Sequence, residues 1–220
     1  MEEILNKYPL LKDQNVPRET FEDFEKFIDM LQKGNEEINI ISKETAKKEV
    51  IRERHIVDSA QIIDFIDLNS STVIDIGSGG GMPGIILSIM LKNMKNSAKV
   101  CLYEKSHRKS VFLRNVSRDL KLSTEIMQQN IFEAKDLESG TVIARAFKPM
   151  SVILELVYKN FSKYNNLILF MGKNGEKILE DSLKNWDFDY EKKQSITSEG
   201  SFLLNIKNIK KKFKKLGFRF

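Results

Sequence analysis

The spacing of apolar residues changes character near residue 70. Before that point, apolar side chains recur every three or four positions between Pro17 and Gly34, at Phe21, Phe24, Phe27, Ile28 and Leu31. This spacing predicts an amphipathic helix. A second stretch, from about residue 44 to residue 67, carries Val50, Ile51, Ile62, Ile63 and Ile66 and is also predicted to be helical. The first 70 residues are therefore expected to form an N-terminal helical region.

Beyond residue 71, short β-branched runs alternate with helical segments. The predicted strands are 72–76, 99–103, 124–128, 141–144 and 167–170, and the predicted helices are 83–91, 108–120 and 151–160. This alternation is typical of a parallel, doubly wound sheet. Two later runs, 187–196 and 201–209, predict an antiparallel hairpin at the sheet edge. We therefore expect an α/β protein with a doubly wound seven-stranded sheet and an N-terminal helical extension.

Composition limits the classes of protein and ligand. The 220 residues are 41% hydrophobic and 30% charged, which is typical of a globular protein. No apolar run approaches a membrane span, and the N-terminus lacks the pattern of a signal peptide. One cysteine, Cys101, and two histidines, His55 and His107, provide no cluster for a metal. We expect a cytoplasmic monomer with no membrane partner and no metal.

The positive charge is concentrated at the C-terminus. The chain has 36 basic and 31 acidic residues, a formal net charge of +5. Residues 207–220, here called the basic tail, hold seven bases and no acid, which leaves the body, 1–206, at −2. The candidate RNA-binding lysines of the tail are Lys210, Lys211, Lys212, Lys214 and Lys215. A solvated terminus and a contact with nucleic acid both fit this pattern. We expect 1–70, 71–206 and the tail to form a single folded unit.

A glycine-rich loop follows the first predicted strand. It reads Asp75-Ile-Gly-Ser-Gly-Gly-Gly-Met-Pro-Gly84. Glycines allow the backbone to approach a ligand closely, and such loops hold either dinucleotides or S-adenosylmethionine. Asp75 would repel a diphosphate but suits the ammonium group of S-adenosylmethionine. The candidate cofactor residues are Asp75, Gly77, Ser78, Gly79 and Gly81, and a turn that binds nothing is the alternative.

The ends of the next two strands supply further candidates. Glu104 ends the second strand, where an acid can accept both ribose hydroxyls, or it is a surface acid paired with Lys105. Ile131 and Phe132 follow the third strand, where an adenine would lie, although both also suit a core. Together these residues indicate a nucleoside-containing cofactor.

Four motifs resemble those of the GidB/RsmG family of bacterial small-subunit ribosomal RNA methyltransferases. These motifs are the Asp75–Gly84 loop with its Pro-Gly ending, Asn35-Glu-Glu-Ile-Asn39-Ile-Ile-Ser42, Arg54-His55-Ile56-Val57-Asp58-Ser59 and Ala144-Arg145-Ala146-Phe147. The chain departs from the family at Gly34, where a tryptophan is usual. The resemblance implies a class I, Rossmann-like fold and methylation of guanine N7 in 16S ribosomal RNA. It also implies that Gly77, Met82, Ile131, Phe132 and Arg145 contact S-adenosylmethionine.

The residues present suit attack by guanine N7. N7 carries an in-plane lone pair and loses no proton, so alignment can replace a general base. Cys101 lies within a strand, and no Asn-Pro-Pro-aromatic element follows the fourth strand. Arg145 could contact a phosphate, the guanine or the cofactor carboxylate, or form a structural salt bridge. His55 and Asp58 share a helix face, and their spacing favours a hydrogen-bonded pair on the helix surface. The resemblance favours instead that they line the pocket or tie the helical region to the catalytic domain.

Basic side chains at the open edge of the sheet are expected to contact RNA. The candidates are Arg54, Lys105, Arg108 and Lys109. A solvated basic helix face is the ordinary alternative. The leading hypothesis is an S-adenosylmethionine-dependent enzyme that modifies 16S ribosomal RNA within the small ribosomal subunit. The alternatives are a class I methyltransferase acting on a small molecule or protein, a non-catalytic RNA-binding module and an NAD-dependent oxidoreductase.

Overall fold

The computed structural model describes residues 6–11 and 17–212, which form an α/β fold around one seven-stranded sheet. The strand order is β3-β2-β1-β4-β5-β7-β6. The strands are β1 (Thr72–Ile76), β2 (Lys99–Tyr103), β3 (Thr124–Met127), β4 (Leu137–Ala144), β5 (Phe161–Met171), β6 (Trp186–Gln194) and β7 (Phe202–Lys211). Strands β1 to β5 are parallel, and β7 pairs antiparallel with β5 and β6. The predicted doubly wound seven-stranded sheet and its antiparallel hairpin are confirmed.

In the part of the chain that the structure describes, five long helices accompany the sheet. They are α1 (Arg18–Glu37), α2 (Gly84–Asn93), α3 (His107–Asp119), α4 (Met150–Asn160) and α5 (Gly175–Leu183). Three-residue 3₁₀ turns occur at Pro9–Leu11, Lys43–Thr45 and Ile131–Glu133. Within the described residues, no helix is long and apolar enough to cross a bilayer.

Polar residues prevented the sequence pattern from predicting the starts of β4 and β5 and the whole of α5. β5 begins at Phe161, well before the predicted 167. Its first residues were not predicted as strand because the exposed Ser162 and Lys163 interrupt the apolar run. β4 likewise begins at Leu137, with Glu138 exposed. Helix α5 was missed because its sequence is largely polar and Leu179 is the large apolar side chain that it buries.

The second predicted helical stretch is a chain of short turns. Within it, Lys48–Ile51 is an α-helix, Arg52–Val57 a π-helix, Asp58–Ala60 a single α-turn and Gln61–Phe65 a 3₁₀ helix. We call these together the 48–65 segment. π-helical turns are rare and concentrate at functional sites, because the wider turn redirects side chains. Here the irregular turns carry His55 and Asp58.

The N-terminal helices share a core with the sheet. Phe24 and Leu31 of α1 belong to the same buried cluster as Ile85 of α2 and Leu113 of α3. The carboxylate of Asp23, itself 5% exposed, accepts a hydrogen bond from Lys92 Nζ of α2 at 2.6 Å. The apolar face of α1 is therefore buried by the helices of the sheet rather than by a separate core.

The basic tail begins inside the sheet. β7 extends to Lys211, so the expected boundary between residues 206 and 207 falls within a strand. Lys211 Nζ donates to Glu155 Oε2 at 2.8 Å, and Lys212 Nζ donates to the Leu183 carbonyl at 2.7 Å. Lys214 and Lys215 lie outside the described residues. The part of the tail up to Lys212 is thus anchored to α4 and α5.

Truncating Phe24 tests whether the helical region and the sheet fold together. Its side chain is fully buried, so Phe24→Ala should lower the free energy of unfolding by about 3–5 kcal/mol. Because α1 shares its core with the sheet, guanidinium titration should show a single transition shifted to lower denaturant. A shared core would be contradicted if the N-terminal helices unfolded in a separate first transition while the sheet unfolded at the same denaturant concentration as in the unaltered protein.

Candidate functional site

The glycine loop joins β1 to α2 at the carboxyl edge of the sheet. Gly77 and Gly81 have φ values of +71° and +93°, in the region that favours glycine. A Cβ on Gly81 would lie 2.5 Å from the Ile85 side chain, so α2 also requires a glycine there. Ser78 turns inward, and its hydroxyl donates to the Asp75 carbonyl at 3.2 Å. The loop thus exposes backbone rather than side chains.

Asp75 lies beneath this loop with one oxygen unpaired. The side chain is 1% exposed, and its Oδ2 accepts a hydrogen bond from the Gly84 N–H at 3.1 Å. Oδ1 has no hydrogen-bond partner in the described part of the chain. Burial raises the pKa of Asp75 to about 7. A buried carboxyl oxygen without a donor is an acceptor available to a ligand's ammonium group.

Glu104 binds the loop from β2. Its Oε2 accepts from the Gly79 N–H at 3.0 Å and its Oε1 from the Ser106 N–H at 2.7 Å. The described residues show no ion pair between Glu104 and Lys105, and Glu104 is 9% exposed, so it is not a surface acid. Each oxygen retains a lone pair, because a carboxylate can accept about four hydrogen bonds.

Ile131 and Phe132, here called the candidate adenine segment, follow β3. One of the two residues lies in the core and the other is exposed. Ile131 is 3% exposed, whereas Phe132 is 37% exposed. The Phe132 ring stacks on Phe147, with centroids 6.0 Å apart and planes at 24°. Met82, at the other end of the loop, is 9% exposed. The exposed Phe132 face is therefore the part of this segment that can contact a ligand.

Arg145 is fixed at the end of β4 by Asp58. Asp58 Oδ2 accepts a hydrogen bond from Arg145 Nε at 3.1 Å and lies 2.9 Å from Nη2 in an ion pair. Nη2 donates to the Arg54 carbonyl at 2.6 Å. Asp58 Oδ1 accepts from Gln61 Nε2 and Thr197 Oγ1, both at 2.9 Å. The pairing expected between His55 and Asp58 is thus replaced by an ion pair with Arg145. The Arg145 guanidinium also lies over the Phe170 ring, 5.6 Å from its centroid.

His55 lies beside this ion pair in its neutral form. Burial, followed by the charge of Arg145, lowers the pKa of His55 to about 4. Neither ring nitrogen has a hydrogen-bond partner among residues 6–11 and 17–212. A neutral imidazole offers one donor and one acceptor, so His55 can hold a polar group but carries no charge for a phosphate.

A cavity of about 350 Å³ opens beside Arg145. We call it the Arg145 cavity. Its wall includes Asp58, Phe170, Gly172 and the hydroxyls of Ser195, Thr197 and Ser201. It lies where β4 and β5 end and the β6–β7 turn folds over them. Most of its lining is polar or charged, with Phe170, Phe202 and Leu203 among its apolar members, so the wall offers both hydrogen-bonding groups and apolar surface. A single nucleobase fits this description.

Lysine and arginine side chains surround the same edge of the sheet. Lys105 and Arg108 are exposed at the start of α3, Lys109 is half-buried there, and Arg54 is exposed beside the Arg145 cavity. A groove of about 660 Å³ runs between α1 and α3. Its walls combine apolar Met30, Ile38, Val111 and Phe112 with basic Lys33, Arg108 and Arg118. The Phe112 ring packs against Gly34, where a Cβ would lie 2.9 Å from it. The four predicted bases of the body therefore lie near the candidate cofactor loop.

Lys210, Lys211 and Lys212, the candidate lysines of the tail that the structure describes, lie at the other end of the sheet. β7 starts at Phe202, opposite Met171 at the carboxyl end of β5, and runs antiparallel toward the amino end. Lys210, Lys211 and Lys212 come at the far end of that strand, away from the loop. The structure thus separates the basic residues near the glycine loop from the described lysines of the tail, although the sequence analysis proposed both groups as RNA contacts.

Some site residues were not predicted. Gln61, Thr197 and Phe170 reach the Asp58–Arg145 pair from the 48–65 segment, the β6–β7 turn and β5. Thr197 is 139 positions from Asp58, so no local spacing could have linked them. In the described ranges, no group of three or more histidine, cysteine or acidic side chains could hold a metal.

The strand order and the glycine loop after β1 define a class I, Rossmann-like methyltransferase fold. Solved structures share it at low sequence identity. The 16S rRNA methylase RmtB matches with a TM-score of 0.52 and 13% identity, over 94% of this chain and 81% of its own. A SAM dependent methyltransferase from Aquifex aeolicus matches with a TM-score of 0.52 and 14% identity, over 71% of this chain and 92% of its own.

The chain belongs to the GidB family, described as rRNA small subunit methyltransferase G, whose sequence profile matches residues 20–206. The Ribosomal RNA small subunit methyltransferase G of Pelagibacter ubique is 76% identical over 212 residues, which are 96% of this chain and 100% of that protein. The protein of the same name from Rickettsia felis is 36% identical, over 89% of this chain and 97% of its own length. The resemblance in the four motifs is thereby confirmed.

A double-mutant cycle measures the Asp58–Arg145 pair. Both side chains are less than one-fifth exposed, at 17% and 19%, so Asp58→Ala and Arg145→Ala should be coupled by about 1–2 kcal/mol of unfolding free energy. The exposed pair Asp181–Lys184 is the control, and its coupling should stay below about 1 kcal/mol. Equal coupling in the two cycles would show that Asp58 does not hold Arg145.

Proposed function

We propose that this protein transfers a methyl group from S-adenosylmethionine to N7 of a guanine in 16S ribosomal RNA. The observation that carries the proposal is the unpaired, buried Oδ1 of Asp75 beneath a glycine loop. The Arg145 cavity, at the carboxyl edge of the same sheet, is the candidate site for the target base. The relatives' names support ribosomal RNA of the small subunit as the substrate. An NAD-dependent oxidoreductase is disfavoured because a buried carboxylate would face the diphosphate.

The residues fit S-adenosylmethionine from its amino end to its adenine. Asp75 would attract the α-ammonium group, with Gly77 and Gly79 offering backbone and Ser78, Gly81 and Met82 shaping the loop. Glu104 would accept the ribose hydroxyls, and Ile131 and Phe132 would pack on the adenine. When bound, the cofactor supplies an electrophilic methyl group on a sulfonium.

Catalysis then depends on alignment of the base. Guanine N7 has a lone pair and no proton to lose, so the chain needs no general base and none is assigned to His55, Asp58 or Arg145. Asp58 holds Arg145, whose charge can bind O6 of guanine or a phosphate at the cavity mouth. His55, uncharged, lines the same region. The protein contributes orientation and exclusion of water.

We further infer that the substrate is RNA within the small ribosomal subunit, and that the enzyme acts as a cytoplasmic monomer. Arg54, Lys105, Arg108 and Lys109 would contact phosphates around the cavity. Lys210, Lys211 and Lys212 lie at the opposite end of the sheet and would contact RNA at a distance from the cavity.

Transfer of labelled methyl groups to small ribosomal subunits from cells lacking the enzyme tests this function. The labelled product should be N7-methylguanosine in 16S RNA, located by nuclease mapping, and Arg145→Ala should lower the rate about a hundredfold by misplacing the base. Naked 16S RNA is assayed in parallel. A different modified nucleoside would refute the chemistry, and labelling of a small molecule or protein instead of RNA would favour the alternative class I substrates.

The pH dependence of cofactor binding tests the role of Asp75. Because burial raises the pKa of its carboxyl to about 7 and only the ionised form attracts an ammonium, S-adenosylhomocysteine should bind about tenfold more tightly at about pH 8 than at about pH 6. Calorimetry in buffers of different ionisation enthalpy should show release of a proton. Asp75→Asn should remove both effects. An unchanged pH profile in the variant would assign the titration to another group.

Paired charge removals test where RNA binds. Arg108→Gln with Lys109→Gln should weaken RNA binding and reduce the salt slope, log Kd against log salt, by about 1.5–2, since two phosphate contacts are lost. Lys207→Gln with Lys210→Gln removes equal charge from the second half of β7, farther from the loop, and should have less effect. Affinity for S-adenosylhomocysteine should not change in either. Equal slopes for the two variants would mean that RNA senses only the net charge.

A further inference from the structure

The ring of Phe147 lies against two positions that are proposed to bind the cofactor. It packs so closely on Gly77 that a Cβ there would lie 2.1 Å from Phe147 Cδ2. The same ring stacks on Phe132 at the end of β3. Gly77 and Phe132 belong to opposite parts of the cofactor site, the loop after β1 and the adenine segment. A ring that contacts both lies between them, in the space that the cofactor needs.

The backbone that carries this ring is short and irregular. Ala146 has a φ of +49°, a left-handed backbone conformation that residues other than glycine rarely adopt. On one side of it, Arg145 is fixed by Asp58, and on the other, helix α4 begins at Met150. Residues 146–149 therefore form a short connection between two fixed points, and Phe147 belongs to this connection.

A second place for the ring adjoins the first. A cavity of about 150 Å³ is bounded by Phe147 itself and by apolar side chains of β5 and α4, among them Leu169, Ile153 and Met150. Apolar cavities of about this size can hold a benzene ring. This cavity shares Phe170 and Gly172 with the Arg145 cavity. A ring placed there would border the site proposed for the target base.

We propose that Phe147 is a shutter that covers the cofactor site in the free protein and turns into the adjoining cavity when S-adenosylmethionine binds. In the turned position its face forms an aromatic wall for the target guanine. The base site is then complete only after the cofactor has bound, so the cofactor binds before the RNA. This inference rests on the proposed function and assigns to Phe147 a positioning role in it.

Such a shutter lowers the apparent affinity for the cofactor. A ligand that binds only the open form sees its affinity reduced by the fraction of molecules that are open. If about one molecule in ten is open, removing the ring should tighten binding about tenfold. A ring that merely packed on the bound cofactor would have the opposite effect, since its loss would remove contacts.

Calorimetric titration with S-adenosylhomocysteine separates these possibilities. Phe147→Ala should bind about tenfold more tightly than the unaltered protein. Tyr158→Ala, which removes an exposed ring from α4 away from the loop, is the matched control and should leave the affinity unchanged. Unchanged or weaker binding by Phe147→Ala would overturn the shutter. Failure of the unaltered protein itself to bind would instead refute the proposed function.

Steady-state methylation of small subunits tests the second position of the ring. Phe147→Ala should raise the KM for RNA about tenfold, as expected for the loss of one base–aromatic stack, although its cofactor affinity is higher. Phe147→Tyr keeps an aromatic face and should keep the KM for RNA near that of the unaltered protein. An unchanged KM for RNA in Phe147→Ala would show that the ring does not form the wall of the base site.

Discussion

The carboxylate of Asp58 joins the parts of the protein that must meet at the site. One oxygen accepts a hydrogen bond from Arg145 Nε and forms an ion pair with the same guanidinium, at the end of β4. The other oxygen accepts from Gln61 of the 48–65 segment and Thr197 of the β6–β7 turn. A charge that is mostly buried is costly unless it is paired and hydrogen-bonded, and Asp58 satisfies both conditions. The N-terminal helices are thus connected to the catalytic edge by polar contacts as well as by the shared core.

The glycine loop after β1 is held by a second pair of acids, Asp75 and Glu104. Asp75 binds the Gly84 N–H at the start of α2, and Glu104 binds the Gly79 N–H in the middle of the loop. A Cβ on Gly84 would lie 2.5 Å from Asp75 Oδ2, so the glycine and the aspartate require each other. The loop is preorganised by these contacts. What is left unpaired, Oδ1 of Asp75, is the atom on which the cofactor proposal rests.

The sequence predicted the sheet well because its central strands are buried on both faces. β1 and β2 had the predicted bounds, since a parallel strand covered by helices reads as a continuous apolar run. The predictions were poorer where one face meets solvent, as in the first half of β5 and in α5. The 48–65 segment kept its helical apolar spacing, but spacing alone could not reveal that its turns switch between α, π and 3₁₀. In the candidate site, the motif residues of the loop were found, whereas the partners of Asp58 and the stacking of Phe147 were not.

By itself, the sequence determined the class of protein, because glycines, an aspartate and strand–helix alternation are local features whose chemistry does not depend on distant residues. It also determined that the body carries almost no net charge. Tertiary structure alone decided which side chains meet. It paired Asp58 with Arg145 rather than with His55, placed the Phe147 ring on Gly77, and placed Lys210 and Lys211 at the end of β7 away from the loop. These outcomes depend on packing between elements far apart in the chain and on the antiparallel direction of β7, which no local pattern encodes.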